Sequence, residues 1–165
     1  MLDVGRLSGA DAGADPDISL TDADAVSLVL ANVDVFAGAG GSLSAPTTAG
    51  DWSTSAVVDG TVGFAGHVDS LAVVALKAAA DYLGVAASGL DADLIGFGSL
   101  LEFHAWDVEL QLNEASAGER LDWNSFVATG LLLADGVVNA SSGIDESVGL
   151  HAEGKAALNA LSGTV

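Results

Sequence analysis

Between Leu101 and Leu112 the chain alternates apolar and polar residues one for one, and a period of two is the pattern of a half-buried β-strand. Leu101, Phe103 and Ala105 alternate with Glu102, His104 and Trp106; Val108, Leu110 and Leu112 then alternate with Asp107, Glu109 and Gln111. The phase slips at Trp106-Asp107, which predicts a β-bulge. Val26, Leu28 and Leu30, followed by Val33 and Val35, show the same alternation with a similar slip and are expected to face a core. Turn chemistry follows at Gly38-Ala39-Gly40-Gly41-Ser42 and again from Asn113 to Gly118. An all-β fold is therefore expected. The Ala-rich stretch from Ser70 to Leu83 is read as strand, with a short helix at 70–83 as the alternative, because its run Ala72 to Ala80 has good helix propensity. Leu150 to Leu158 is read in the same way, although Gly154 interrupts it.

Comparison of the chain with itself suggests two copies of one unit. Leu28 to Val35 lies opposite Leu101 to Val108, and Asp51-Trp52 opposite Asp122-Trp123. Val68-Asp69 lies opposite Ile144-Asp145, and Lys77-Ala78-Ala79 opposite Lys155-Ala156-Ala157, with the order of all four anchors kept. Asp22-Ala23-Asp24 and Asp91-Ala92-Asp93 precede the two copies. The repeat would be about 70 to 78 residues long, which suits a multi-strand unit. The expected organisation is a linker or the end of a preceding unit over 1–21, repeat unit 1 over 22–90 and repeat unit 2 over 91–165. A third unit could begin near Ser162-Gly163-Thr164-Val165. Stacked copies would form an elongated solenoid or sandwich-like array in which neighbouring repeats of the same chain are the first partners.

Charge narrows the function classes. Four Lys and Arg stand against 23 Asp and Glu, a formal net charge of -19 at pH 7. Such a field repels phosphate backbones and anionic lipid, so neither nucleic acid nor a membrane surface is an expected partner. Half of the residues are hydrophobic and mean hydropathy is +0.49, so the chain is not of the low-hydrophobicity disordered kind. No uncharged run is both long and apolar enough to cross a bilayer as a helix. The opening Met1-Leu2-Asp3-Val4-Gly5-Arg6 lacks the features of a signal peptide, which leaves a cytosolic chain or a missing true beginning. Cys is absent, so neither disulfides nor thiolate metal sites enter the reading.

Each candidate site has a plain alternative. His67, His104 and His151 have Asp69, Glu102 and Glu153 two positions away, a spacing that places both groups on one strand face. Such a pair can bind a cation or move a proton, but no two of these histidines stand at ligand spacing to each other, and solvent-facing strand residues are the expected reading. There is no Cys nucleophile, no G-x-S-x-G elbow and no phosphate-binding G-x-x-x-x-G-K-[ST] loop, so no catalytic role is expected. Calcium takes six to eight oxygen ligands, and aspartates two apart can supply several of them. That makes Asp22, Asp24, Asp91 and Asp93 the candidate metal ligands, with Asp15-Pro16-Asp17 a further pair. Solvated turn aspartates give the same spacing without a metal. Trp52, Trp106 and Trp123 are candidates for stacking on carbohydrate; alternatively, the Trp that recurs once per copy caps a core corner.

The Leu101-x-Phe103-x-Ala105-x-Asp107-Val108-x-Leu110 strand, the Leu121-Asp122-Trp123 corner and the Val148 to Leu158 segment together resemble long repeats of very large secreted bacterial proteins of the adhesin and RTX-like type. The resemblance covers most of residues 22 to 165 and lies in pattern and composition. It implies an elongated β architecture, extracellular or cell-surface placement and frequently calcium, although the RTX nonapeptide itself is missing. The expected function is a structural or adhesive repeat segment of a bacterial surface protein. A carbohydrate-binding module and an acidic halophile-adapted protein without a surface role are the alternatives, and no bound cofactor other than calcium is expected.

Overall fold

The computed structural model describes residues 1–12, 17–139 and 142–160, apart from the side chain of Ser99. The suggested start of a third repeat and the Asp15-Pro16 part of one aspartate pair lie outside the described residues. The strands are β1 (Leu2–Ala10), β2 (Ser19–Ala39), β3 (Ser42–Leu43), β4 (Val57–Val58), β5 (Val62–Lys77), β6 (Asp81–Ile95), β7 (Leu101–Ala115), β8 (Val127–Thr129) and β9 (Leu150–Ala160). Seven of them form one antiparallel sheet in the order β8-β1-β2-β5-β6-β7-β9, which does not close into a barrel, and β3 pairs with β4. The fold is all-β. Residues 70–83 form the end of β5, a turn and the start of β6, so the helical alternative is corrected. β-branched and bulky side chains at Leu71, Val73, Val74 and Leu76 pack better on a pleated surface than the local propensity of the alanines suggests.

The chain divides into two compact units. The first, here the core unit, comprises Met1–Ala31, Ser70–Ser88 and Glu109–Glu153; the second, here the open unit, comprises Asn32–Asp69, Gly89–Val108 and Gly154–Val165. All the buried hydrophobic residues belong to the core unit. There Leu7, Ala23, Ala25, Ala72, Val74 and Leu76 from β1, β2 and β5 pack beneath Leu121, Trp123, Phe126, Leu133, Val137 and Ile144 from the largely irregular segment between β7 and β9. Trp123 is fully buried and meets Phe126 edge to face at 5.9 Å. Gly84 on β6 makes room for it, since a Cβ there would approach Trp123 Cε2 to 2.8 Å. The inward face of β2 reverses the expected one: Ala23, Ala25 and Ser27 are buried, whereas Val26 and Leu30 are exposed. Small side chains are what the close covering layer admits.

Asn113 near the end of β7 fastens that layer. Its side-chain amide donates to the carbonyls of Leu121 and Asp145, both at 2.8 Å, and its Oδ1 accepts from Trp123 Nε1 at 2.9 Å. Asp11 does comparable work at the other side, its carboxylate accepting from Ile18 N and Asp122 N. In the open unit no described residue is buried; its sheet carries Val35 and Phe64 at about half exposure, with Phe64 against the Phe103 ring edge at 6.3 Å.

Strand phase changes where a residue takes a left-handed conformation. Asp107 has φ 53, as the slip at Trp106-Asp107 predicts, and Asn32 has φ 53 between Leu30 and Val33. Asp22 has the same value, opposite a register shift between Leu7 and Gly9. Short polar side chains tolerate this region because they bond locally. Asp22 N donates to Ser8 Oγ and Asp107 N to Asp91 Oδ1, so the neighbouring strand satisfies the displaced amide. Replacing Asn113 by alanine would leave Trp123 Nε1 and the Leu121 carbonyl without their partner in the core and take one of two donors from the Asp145 carbonyl. Asn113→Ala is expected to lower stability by about 2 to 4 kcal/mol, read as a lower denaturant midpoint at unchanged slope.

Candidate functional site

Two of the three histidines, His67 and His104, belong to the open unit together with Asp69, Asp91 and Asp93, while His151 belongs to the core unit. His67 on β5 places Nδ1 at 2.7 Å from Asp34 Oδ1 on β2 and Nε2 at 3.3 Å from Asp69 Oδ1 on its own strand. His104 on β7 places Nδ1 at 2.6 Å from Asp93 Oδ1 on β6. Lys155 on β9 reaches Asp107 Oδ2 on β7 at 2.7 Å. Each ties two strands together. Asp34, Asp59, His67, Asp91 and Asp93 line a shallow cavity of about 270 Å³ in the same unit.

The within-strand spacing anticipated only part of this. His67 does face Asp69, and His151 Nε2 lies 3.7 Å from Glu153. His104, however, turns to Asp93 on the adjacent strand, while Glu102 accepts from Asn159 Nδ2. A strand's lateral neighbours are set by sheet order, which spacing along the chain does not contain. A carboxylate at each ring nitrogen favours the protonated form of His67. Its pKa is raised above the ordinary value by the hydrogen bond to Asp34, against a smaller opposing effect of desolvation. Because the folded value exceeds the unfolded one, the pairing contributes fully below the unfolded pKa and is lost as pH rises through the folded pKa.

The four aspartates proposed as metal ligands form two pairs, one in each unit. Asp22 and Asp24 belong to the core unit, where Arg6 Nη1 meets Asp22 Oδ2 at 2.6 Å and Arg6 Nε meets Asp24 Oδ1 at 3.1 Å. The two carboxylates raise the Arg6 pKa, the charge of Asp22 most of all. Asp91 and Asp93 belong to the open unit, where Asp91 accepts from the Asp107 amide and Asp93 faces His104. Among the described residues no group of three or more His, Asp and Glu side chains is arranged to hold a metal ion.

The tryptophans also separate. Trp123 is at the centre of the core, Trp106 is 39% exposed and Trp52 is 63% exposed. Asp51 and Asp122 nevertheless make the same local turn, each accepting from the backbone N–H two residues on, Ser53 and Asn124. A core-capping role thus describes Trp123 and not Trp52.

One concavity had no sequence signal. In the core unit, Val4, Val26, Ala75, Tyr82 and Leu83 line an apolar groove of about 850 Å³ with Arg6, Lys77, Asp81 and Glu114 among its charged residues. Its walls come from five strands, and no single stretch of the chain is unusual enough to announce it. No protein-family model, curated protein or solved structure matches the chain.

Replacing Asp34 by asparagine removes the strongest partner of His67. Asp34→Asn is expected to move the His67 titration, followed by the NMR shift of its ring protons, down toward the ordinary histidine value of about 6.5; an unmoved titration would remove Asp34 as the cause.

Proposed function

We propose that the chain is a structural or adhesive segment of a larger bacterial surface or extracellular protein, one stretch of an elongated array of β repeats. The observation that carries this reading is how the chain uses its length. β2 runs for 21 residues and β5 for 16, in a sheet that stays open, and the open unit contributes nothing to a buried core. Ordinary strands are about 5 to 6 residues long. A chain that places its residues in extended, open sheet favours spanning and contact over enclosing a substrate. The charge of -19 keeps such a surface soluble and suits a salty medium, where ions screen its self-repulsion.

The repeat within that reading is supported by the matching Asp51 and Asp122 turns; the left-handed Asn32 and Asp107 fall two positions out of its register. Other anchors diverge, since Lys77 ends β5 before a turn whereas Lys155 lies within β9. A carbohydrate-binding role has one specific observation in its favour, the exposure of Trp52. Quenching or enhancement of Trp fluorescence by a glycan, lost in Trp52→Ala, would favour it over a purely structural role.

Antibodies against the folded chain are expected to label intact source cells, and deletion of the segment to reduce attachment; labelling only after lysis would overturn the surface reading. Calcium, as a stabiliser of the array, competes with cations the protein already supplies. Arg6→Ala uncovers Asp22 and Asp24, so millimolar calcium is expected to raise its thermal midpoint more than that of the parent chain. Equal responses in the two would exclude that aspartate pair.

A further inference from the structure

The outer edge of β9 matches itself. β9 is the last strand of the sheet, every residue from Leu150 to Ala160 is exposed, and Leu150 and Leu158 are each 69% exposed. Its inner edge is engaged: the Gly149 carbonyl just before it accepts from Asn113 N at 2.9 Å. Since successive residues of a strand turn their N–H and C=O to opposite sides, Gly149 facing inward sends the backbone groups of residues 150, 152, 154, 156 and 158 outward. An edge strand of this length presents a ladder ready for another strand. Leu150 to Ala160 contains no proline and no left-handed residue to guard it, and its single lysine makes an exposed pair with Asp107 of its own chain that it shares or exchanges with Glu153 in the pairing below.

We propose that β9 pairs antiparallel with β9 of a second copy of this chain, about a two-fold axis at Gly154. The outward-facing residues then meet as hydrogen-bonded pairs, Gly154 with Gly154, Ala152 with Ala156, and Leu150 with Leu158. The intervening residues meet as the closer, non-bonded pairs, and Glu153 falls opposite Lys155 twice, once on each side of the axis. Side chains directly opposite one another share a face, so the two Glu-Lys pairs lie on one face and the two Leu-Leu pairs on the other. Glycine at the axis and alanines around it leave the backbones room to meet. Sliding the pairing by two residues either way sets Glu153 against Glu153 or Lys155 against Lys155, so charge disfavours both neighbouring registers. The interface is the same patch on both partners, as a closed two-fold dimer requires. Total charge opposes it: two chains of -19 repel until salt shortens the Debye length from about 30 Å at 0.01 M to about 8 Å at 0.15 M.

Sedimentation velocity on the full chain tests the pairing, with expected dimerisation that strengthens from low to moderate salt. Glu153→Lys turns both attractive pairs repulsive and is expected to weaken association about tenfold. The double change Glu153→Lys with Lys155→Glu restores opposite charges and should recover most of that loss. The chain has no cysteine, so register can be read directly. Chains carrying Ala152→Cys, mixed with chains carrying Ala156→Cys, should form the mixed disulfide dimer under mild oxidation in preference to either self-linked dimer. A monomer at every concentration and salt, a dimer indifferent to Glu153→Lys, or equal cross-linking of each cysteine variant with itself would overturn the proposal.

Discussion

The side chain of Asn113 is the point on which the core unit depends. The residues between β7 and β9 that cover the sheet are mostly irregular, and such a segment supplies few backbone bonds of its own. Asn113 meets that need with three of its hydrogen-bonding positions, gripping the chain at Leu121 and at Asp145 and orienting Trp123 between them. Fixed in this way, Trp123 defines the space into which Val137 and Ile144 fit and requires glycine at position 84 beneath it. A buried amide that is fully satisfied specifies one arrangement, because any shift of the layer would strand several polar groups at once.

Nothing of this kind organises the open unit. Its strands are joined by the ladder and by contacts across exposed surface: Asp34 with His67, Asp93 with His104, Asp107 with Lys155. Exposed ion pairs contribute little each. Their arrangement is nonetheless economical in an acidic chain, because a basic side chain is placed between strands whose carboxylates would otherwise face one another. The same logic holds at Arg6, which serves two aspartates of β2.

Much of this was legible in the sequence, and the limits have physical causes. Alternation around Leu101 to Leu112 showed both the strand and its interruption, since a left-handed residue shifts the phase of everything after it. The inward face of β2 was misjudged because hydrophobicity marks which residues gain from burial, not how much room the opposing layer leaves; at β2 that room suits Ala23, Ala25 and Ser27. The helical option for 70–83 weighed alanine propensity without the sheet on either side. Among the candidate site residues, the histidines and their same-strand partners Asp69 and Glu153 were visible, but Asp34 and Asp93 were not, because they reach His67 and His104 across strand pairs that no local spacing records. Trp52 and Trp123 share a turn and differ in burial for a related reason: only one of them has a layer to enter.

The covering layer also sets an order of events during synthesis. Ser8 meets Thr129, Asp11 meets Asp122 and Ala12 meets Ser125, contacts separated by more than a hundred residues. Contacts this distant close slowly, so β1 and β2 leave the ribosome with their apolar faces uncovered and wait there until β8 and the covering layer have followed.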